Sequence, residues 1–256
     1  MPQPRPTPPY CRGVLGLPQR IRACLFDMDG VLTQTATVHQ AAWKRVFDDV
    51  LQATHPGQRP FSRDDYRRYV DGKPRADGVR DFLASRGILL PEGSPADPPE
   101  AATVHGLARR KDELFQRELR DHGVAVFPDA VRYLQAVKDA GLLTAAVTAS
   151  VHGAEVLTSS GLSPLIDLRI DGIIAARDGL RGKPAPDTFL AAARMLGIPP
   201  ARAAVFEDAL AGVAAGRAGG FGYVVGVDRV GRASELRSQG ADVVIADLEQ
   251  FLTTRP

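Results

Sequence analysis

The sequence holds only two cysteines, a scarcity that excludes a disulfide scaffold. Cys11 sits in a proline-rich stretch and Cys24 in an apolar run, and neither has CxxC or Cys/His metal spacing around it. A reducing, cytoplasmic compartment is the expectation. No apolar run approaches the length of a membrane span, and Met1–Pro9 lacks the apolar core of a signal peptide. Charge of one sign is missing too. The 32 basic and 30 acidic residues leave a net charge of +2, no footprint for nucleic acid or an anionic membrane. There is no internal repeat, heptad run or GxxxxGK[ST] phosphate loop. Gly219, Gly220 and Gly222 end a helical pattern and precede a strand, the wrong order for a dinucleotide fingerprint.

What is present suits a chain of 256 residues, long enough for one large domain or a core with an inserted subdomain. Ile21–Phe26 reads as a buried strand. Beyond residue 127, strand and helix patterns alternate, which predicts βαβ units. The strands are Leu142–Val147, a weaker Leu168–Ile170, Ala203–Phe206, Tyr223–Val227 and Val243–Ile245. Helices run through Val131, Leu134 and Val137 to a stop at Gly141, and from Asp187, read as N-cap, to Leu196. A small-residue helix ends near Gly219, its Gly212 and Gly216 suited to close packing on the sheet.

Residues 36–126 are helical in pattern without a convincing strand. Trp43, Val46, Phe47, Val50 and Leu51 form an amphipathic stripe, and the proline- and glycine-rich Leu90–Pro99 must be a loop. The expected fold is therefore α/β, with a doubly wound, mostly parallel Rossmann-like sheet from residues 20–35 and 127–256. Residues 36–126 form a helical cap inserted after the first strand, and residues 1–19 a proline-rich extension.

Directly after that strand stands Asp27-Met28-Asp29-Gly30-Val31-Leu32. Alone, two carboxylates before a glycine fit a turn with an N-cap as well as a cation site. Ligands of open parallel sheets gather at the carboxyl ends of the strands. Here those ends or adjoining loops carry Asp27 and Asp29, Thr148, Lys183 in Gly182-Lys183-Pro184-Ala185-Pro186-Asp187, and Glu207-Asp208. Asp27 can attack phosphorus to form a phosphoaspartate, and Asp29, on the same side of an extended segment, can shuttle the proton. Asp27, Glu207 and Asp208 with a backbone carbonyl suit one Mg²⁺, and Asp29 is counted as a further candidate ligand. Thr148 can donate to a phosphoryl oxygen and Lys183 supplies a point charge. Singly, Lys183 reads as a surface lysine and Glu207-Asp208 as an N-cap; their shared placement favours chemistry.

The ordered quartet resembles the haloacid dehalogenase superfamily of phosphotransferases, over nearly the whole chain from about residue 20. Within it, the chain is most similar to the β-phosphoglucomutase-like subfamily and its hydrolase relatives. The closer likeness lies in His39 and Trp43 of HQAAWK, Lys73 and Arg75 of DGKPR, Lys111 of LARRKDELF, and Ser150 after Thr148. It implies that these residues bind the substrate, with Arg75 and Lys111 on a distal phosphate. Independently, the stripe Val104, Leu107, Ala108, Leu114, Phe115 places Lys111 on or beside a buried seam, which supports a functional cation there over simple snorkelling along that face. The resemblance implies interconversion of β-D-glucose 1-phosphate and glucose 6-phosphate through a sugar bisphosphate, with Mg²⁺ as cofactor and glucose 1,6-bisphosphate as activator. Thr35, in the hinge, would couple cap closure to Asp29. The expected partner is a small phosphorylated sugar, the chain acting as a monomer or weak homo-oligomer. Two departures stand out. Gln34 replaces a common Asp, and Val151-His152 replace Lys-Asn, one phosphate-binding cation fewer. A sugar-phosphate phosphatase on the same fold is the alternative; a phosphorylatable, non-enzymatic module is a remote one.

Overall fold

The computed structural model describes residues 15–253, so Cys11 and most of the proline-rich extension lie outside the described residues. Six strands form one parallel sheet: β1 (Ala23–Phe26), β2 (Leu143–Val147), β3 (Leu168–Ile170), β4 (Ala203–Glu207), β5 (Tyr223–Val227) and β6 (Val243–Ile245). Their spatial order is β3-β2-β1-β4-β5-β6. Every strand expected from the sequence is present, because short apolar runs bounded by turn residues must be covered on both faces.

Alternation along β1 shows how both faces are filled. Cys24 and Phe26 enter one apolar cluster, with Tyr133, Leu134 and Val137 of α5 (Pro128–Asp139) and Val156 and Leu157 of α6 (Gly153–Ser159). Ala23 and Leu25 enter the other, with Phe189 of α8 (Asp187–Met195), Val213 of α9 (Leu210–Ala218) and Leu236 of α10 (Ala233–Ser238). The short helices α7 (Gly172–Arg177) and α11 (Gln250–Thr253) complete the core. Cys24 is a free, fully buried thiol, and burial pushes it far from its reactive thiolate form. The expected N-cap Asp187 is instead the first residue of α8, after Pro186, because its carboxylate is occupied by the Arg181 guanidinium at 2.9 Å.

Between β1 and α5 lie α1 (Ala36–Thr54), α2 (Arg63–Asp65), a π-helical turn Tyr66–Val70, α3 (Arg75–Ser85) and α4 (Val104–His122). They share an apolar cluster of their own, including Trp43, Val46, Phe47, Phe61, Phe82 and Leu107. Two connections join this inserted cap to the sheet core, and Gln34 ties them together. Its backbone N–H donates to Ala125 O at 2.8 Å and its side-chain amide to Val126 O at 3.2 Å. Among the described residues no helix is long and apolar enough to cross a membrane.

Phe47 is fully buried, its ring 5.0 Å from Trp43 and Phe61 and 4.2 Å from Phe82. Phe47→Ala should cost about 3–5 kcal/mol of stability in urea denaturation; a change under about 1 kcal/mol would show that the cluster does not hold the cap together.

Candidate active site

Sheet register assembles the core half of the site. Phe26 pairs with Ala146 on one side and Phe206 on the other, so Asp27, Val147 and Glu207 emerge side by side at the strand ends. This is the reversal of strand order, where an open sheet leaves a crevice. The Asp27 N–H donates to Phe206 O at 2.9 Å and the Thr148 N–H to Ile170 O at 2.9 Å, which sets where each side chain leaves the sheet.

Lys183 is 3 % exposed and points inward, not to solvent. Its ammonium donates to Asp27 Oδ1, to Glu207 Oε1 at 2.6 Å and to Val147 O at 3.2 Å. Burial would lower its pKa, but the charges and hydrogen bonds of Asp27 and Glu207 hold it above that of an ordinary lysine. Burial drives the Asp27 carboxyl well above its usual range; Lys183 opposes this, and Glu207 and Asp29 add to it. Burial, then the charges of Asp71, Glu207 and Asp27, raises Asp208 likewise.

Asp27, Glu207 and Asp208 present carboxylate oxygens within 4.8 Å of one another. Asp208 Oδ1 is buried with no hydrogen-bond partner among the described residues. An all-oxygen, electron-rich set with an orphaned buried oxygen fits a hard divalent cation. Two glycines make room for it. Gly30, at φ +92°, lies where any Cβ would overlap the Asp208 carboxylate, and a Cβ on Gly212 would overlap that of Glu207. Gly212 therefore shapes the acidic cluster, beyond the helix-on-sheet packing read from sequence; Gly216, against Val205 and Val224, does pack helix on sheet.

Asp29, counted from sequence among the metal ligands, gives no carboxylate oxygen to this cluster. Thr35 donates to its Oδ1, Thr148 to its Oδ2 at 3.3 Å, and His39 Nε2 stands 3.3 Å from Oδ1. Burial alone would raise the Asp29 carboxyl. The neighbouring His39 charge and hydrogen bond, the Thr35 hydroxyl and Lys111 hold it well below the usual range. Thr35 is itself backed by Thr33 Oγ1 at 2.7 Å.

The cap supplies the opposite wall. Lys111, 2 % exposed, does not snorkel. It bonds His39 Nδ1, while the other ring nitrogen, Nε2, faces Asp29, and it lies 4.5 Å over the Phe115 ring. Burial, with the adjacent Arg75 charge, pulls Lys111 down to about 7 against the pull of Asp29 and Asp112. Trp43, Lys73, Arg75 and Ser150 line the same chamber as Asp27 and Asp29. Lys73 bonds Asp81 at 2.6 Å, and the Ser150 hydroxyl accepts from the His152 N–H at 3.2 Å, which makes it part of the turn into α6.

Sequence reading missed three members of the site. Asp112, next to Lys111, is ion-paired with Arg75 and held at 2.8 Å by His152. Asp71 and Arg232 meet beneath Asp208, at 3.6 Å from each other. Burial raises the Asp71 carboxyl to about 6, with Arg232 opposing. Asp71 and Asp112 border residues that were recognised, but nothing local marks Arg232 as buried. The chamber is about 50 Å³, room for one or two waters, and a cleft of about 610 Å³ adjoins it across Arg75 and Asp112. Thr148 and Lys183 of the core line that cleft as well.

The family described as haloacid dehalogenase-like hydrolase matches residues 21–220. The β-phosphoglucomutase of Mycobacterium tuberculosis is 52 % identical, over 97 % of this chain and 98 % of that protein. The crystal structure of CbbY from Rhodobacter sphaeroides in complex with phosphate is 26 % identical with a TM-score of 0.67, covering 91 % of this chain and 96 % of that one. In fold, the chain also matches β-phosphoglucomutase from Clostridium difficile, with a TM-score of 0.71 and 24 % identity, over 90 % of this chain and 92 % of that one.

The lowered Lys111 predicts a titration visible without substrate. In side-chain NMR its Cε resonance should move with a midpoint near pH 7, the ammonium present below and lost above, while Lys183 stays charged throughout. A Lys111 midpoint above about 9 would mean the chamber does not desolvate it.

Proposed function

The chain belongs to the haloacid dehalogenase-like hydrolase family, and from that premise we propose that it is a Mg²⁺-dependent β-phosphoglucomutase working through a phosphoaspartate on Asp27. The observation that carries the reading is one chamber lined both by Asp27 and Asp29 of the core and by two cap cations, Arg75 and Lys111. A mutase needs such a second anion site, because its bisphosphate intermediate must be held at one phosphate while the other reacts. The identity to the mycobacterial β-phosphoglucomutase supports the same reaction.

Asp27, Glu207 and Asp208 would hold the Mg²⁺. The cation would offset their mutual repulsion and the charge of the transferring phosphoryl group. Lys183 engages Asp27 Oδ1, which leaves Oδ2 as the attacking oxygen. From the phosphorylated enzyme, the ionised Asp29 takes the proton of the sugar 6-hydroxyl as that oxygen attacks phosphorus; the O–P bond forms and the Asp27–P bond breaks. The bisphosphate then reorients under Arg75 and Lys111. Asp27 attacks the phosphorus at C1, and Asp29 returns the proton to the leaving sugar oxygen. An aspartate already held ionised by His39 and Thr35 suits a cycle that starts by accepting a proton.

One observation favours the phosphatase reading, in which water resolves the phosphoaspartate. Asp112 occupies Arg75, and His152 in turn holds Asp112.

Phosphorus NMR of β-glucose 1-phosphate with Mg²⁺ and a trace of glucose 1,6-bisphosphate separates the two. Glucose 6-phosphate is expected, and inorganic phosphate as the main product would remove the mutase. Asp27→Asn should abolish phosphoenzyme and cut turnover by on the order of a thousandfold or more. Retained turnover would remove Asp27 as the nucleophile.

A further inference from the structure

Arg232 has no part in the phosphoryl-transfer scheme, yet the fold goes to some length to bury it. It is 4 % exposed, in the loop between β5 and α10. Asp228 builds that loop: its Oδ1 accepts from the N–H groups of Val230 at 3.2 Å, Gly231 at 2.7 Å and Arg232 at 2.7 Å. Gly231 takes the left-handed conformation the turn requires, with φ +83°. The guanidinium so aimed donates from Nη2 to the backbone oxygen of Asp208 at 2.9 Å. The same Nη2 stands 3.6 Å from Asp71 Oδ2, a carboxylate that belongs to the cap. Among the described residues, Arg232 Nε and Nη1 are buried without hydrogen-bond partners.

Asp71 is positioned as deliberately. It ends the π-helical turn, its N–H bonding Tyr66 O at 2.9 Å, and the Tyr66 hydroxyl bonds its carboxylate. Gly72 beside it approaches so closely that a Cβ there would lie 3.1 Å from the Ala209 Cβ, just past Asp208. The cap thus touches the core at the residue following a candidate metal ligand, and the contact carries an ion pair.

We propose that Arg232 is a positioning residue that couples cap closure to the cation site, by pairing with the Asp71 carboxylate of the cap while holding the backbone of Asp208 in the core. A guanidinium cannot shed its proton, and a buried one needs a counter-ion. With the cap closed, Asp71 supplies that counter-ion and the Asp208 carboxylate is free to face the cation. When the cap lifts, Asp71 leaves with it, and Arg232, whose charge also acts on the Asp208 carboxylate, then draws that carboxylate away from the cation. Closure and cation binding favour each other by the same factor, as linkage demands. The coupling rests on the cation reading of Asp27, Glu207 and Asp208, and not on the identity of the sugar.

The test is a double-mutant cycle read by Mg²⁺ calorimetry and by small-angle scattering, both without substrate. Asp71→Asn should weaken Mg²⁺ binding about fivefold or more in the otherwise unmodified protein, and by less than about twofold in an Arg232→Gln background. Mg²⁺ should compact the unmodified protein but not Asp71→Asn. Equal losses in both backgrounds would show that Asp71 acts on the cation directly and would overturn the coupling. Should Arg232→Gln not fold, the scattering decides alone: Mg²⁺-induced compaction of Asp71→Asn equal to that of the unmodified protein overturns it. An unmodified protein that binds no Mg²⁺ would overturn both the coupling and the cation reading beneath it.

Discussion

The site depends on one buried ammonium. Lys183 sits between Asp27 and Glu207, at the ends of the two central strands, and bonds both. Three carboxylates crowd that point, and without a compensating charge they would repel one another and the sheet beneath them. One lysine neutralises only part of this. The rest is left for a divalent cation; burial first, and the neighbouring carboxylates after it, raise the Asp27 and Asp208 carboxyls while Lys183 stays charged. Gly30 and Gly212 follow from the same crowding, since a methyl group at either would displace an acid.

A second charge system descends from the cap with the opposite sign. Lys111 and Arg75 bring positive charge into a chamber whose core wall is acidic, and each is tied to a partner before substrate arrives: Lys111 to His39, Arg75 to Asp112. His39 then bridges the two systems, one ring nitrogen toward Lys111 and the other toward Asp29. Val151 stands where the family pattern carries a lysine, and His152 beside it meets Asp112. Through Asp112 the departure from that pattern reaches Arg75.

Much of this could be read in the chain before folding. Six apolar runs of strand length, each closed by a turn, dictate a parallel sheet because none can leave a face in water. Residues at the ends of central strands must then converge, so Asp27, Thr148, Lys183 and Glu207-Asp208 could be placed together from linear order. Other readings failed for local reasons. Asp187 looked like an N-cap until Arg181 took its carboxylate, and Gly212 looked like a packing glycine because the acid it accommodates lies on a different element.

Fold class, the acidic cluster and the cap as an inserted helical block were therefore set by the sequence itself, through hydrophobic period and the position of charged residues relative to strand ends. Tertiary structure alone decided where each charge finds its partner. Asp29 faces Thr35 and His39 instead of the acidic cluster, Arg75 is held by Asp112, and Arg232 lies between Asp71 and Asp208. The physical reason is range. Burial pattern is a local property that repeats every two or 3.6 residues, whereas an ion pair joins groups 37 or 161 positions apart once packing has desolvated both.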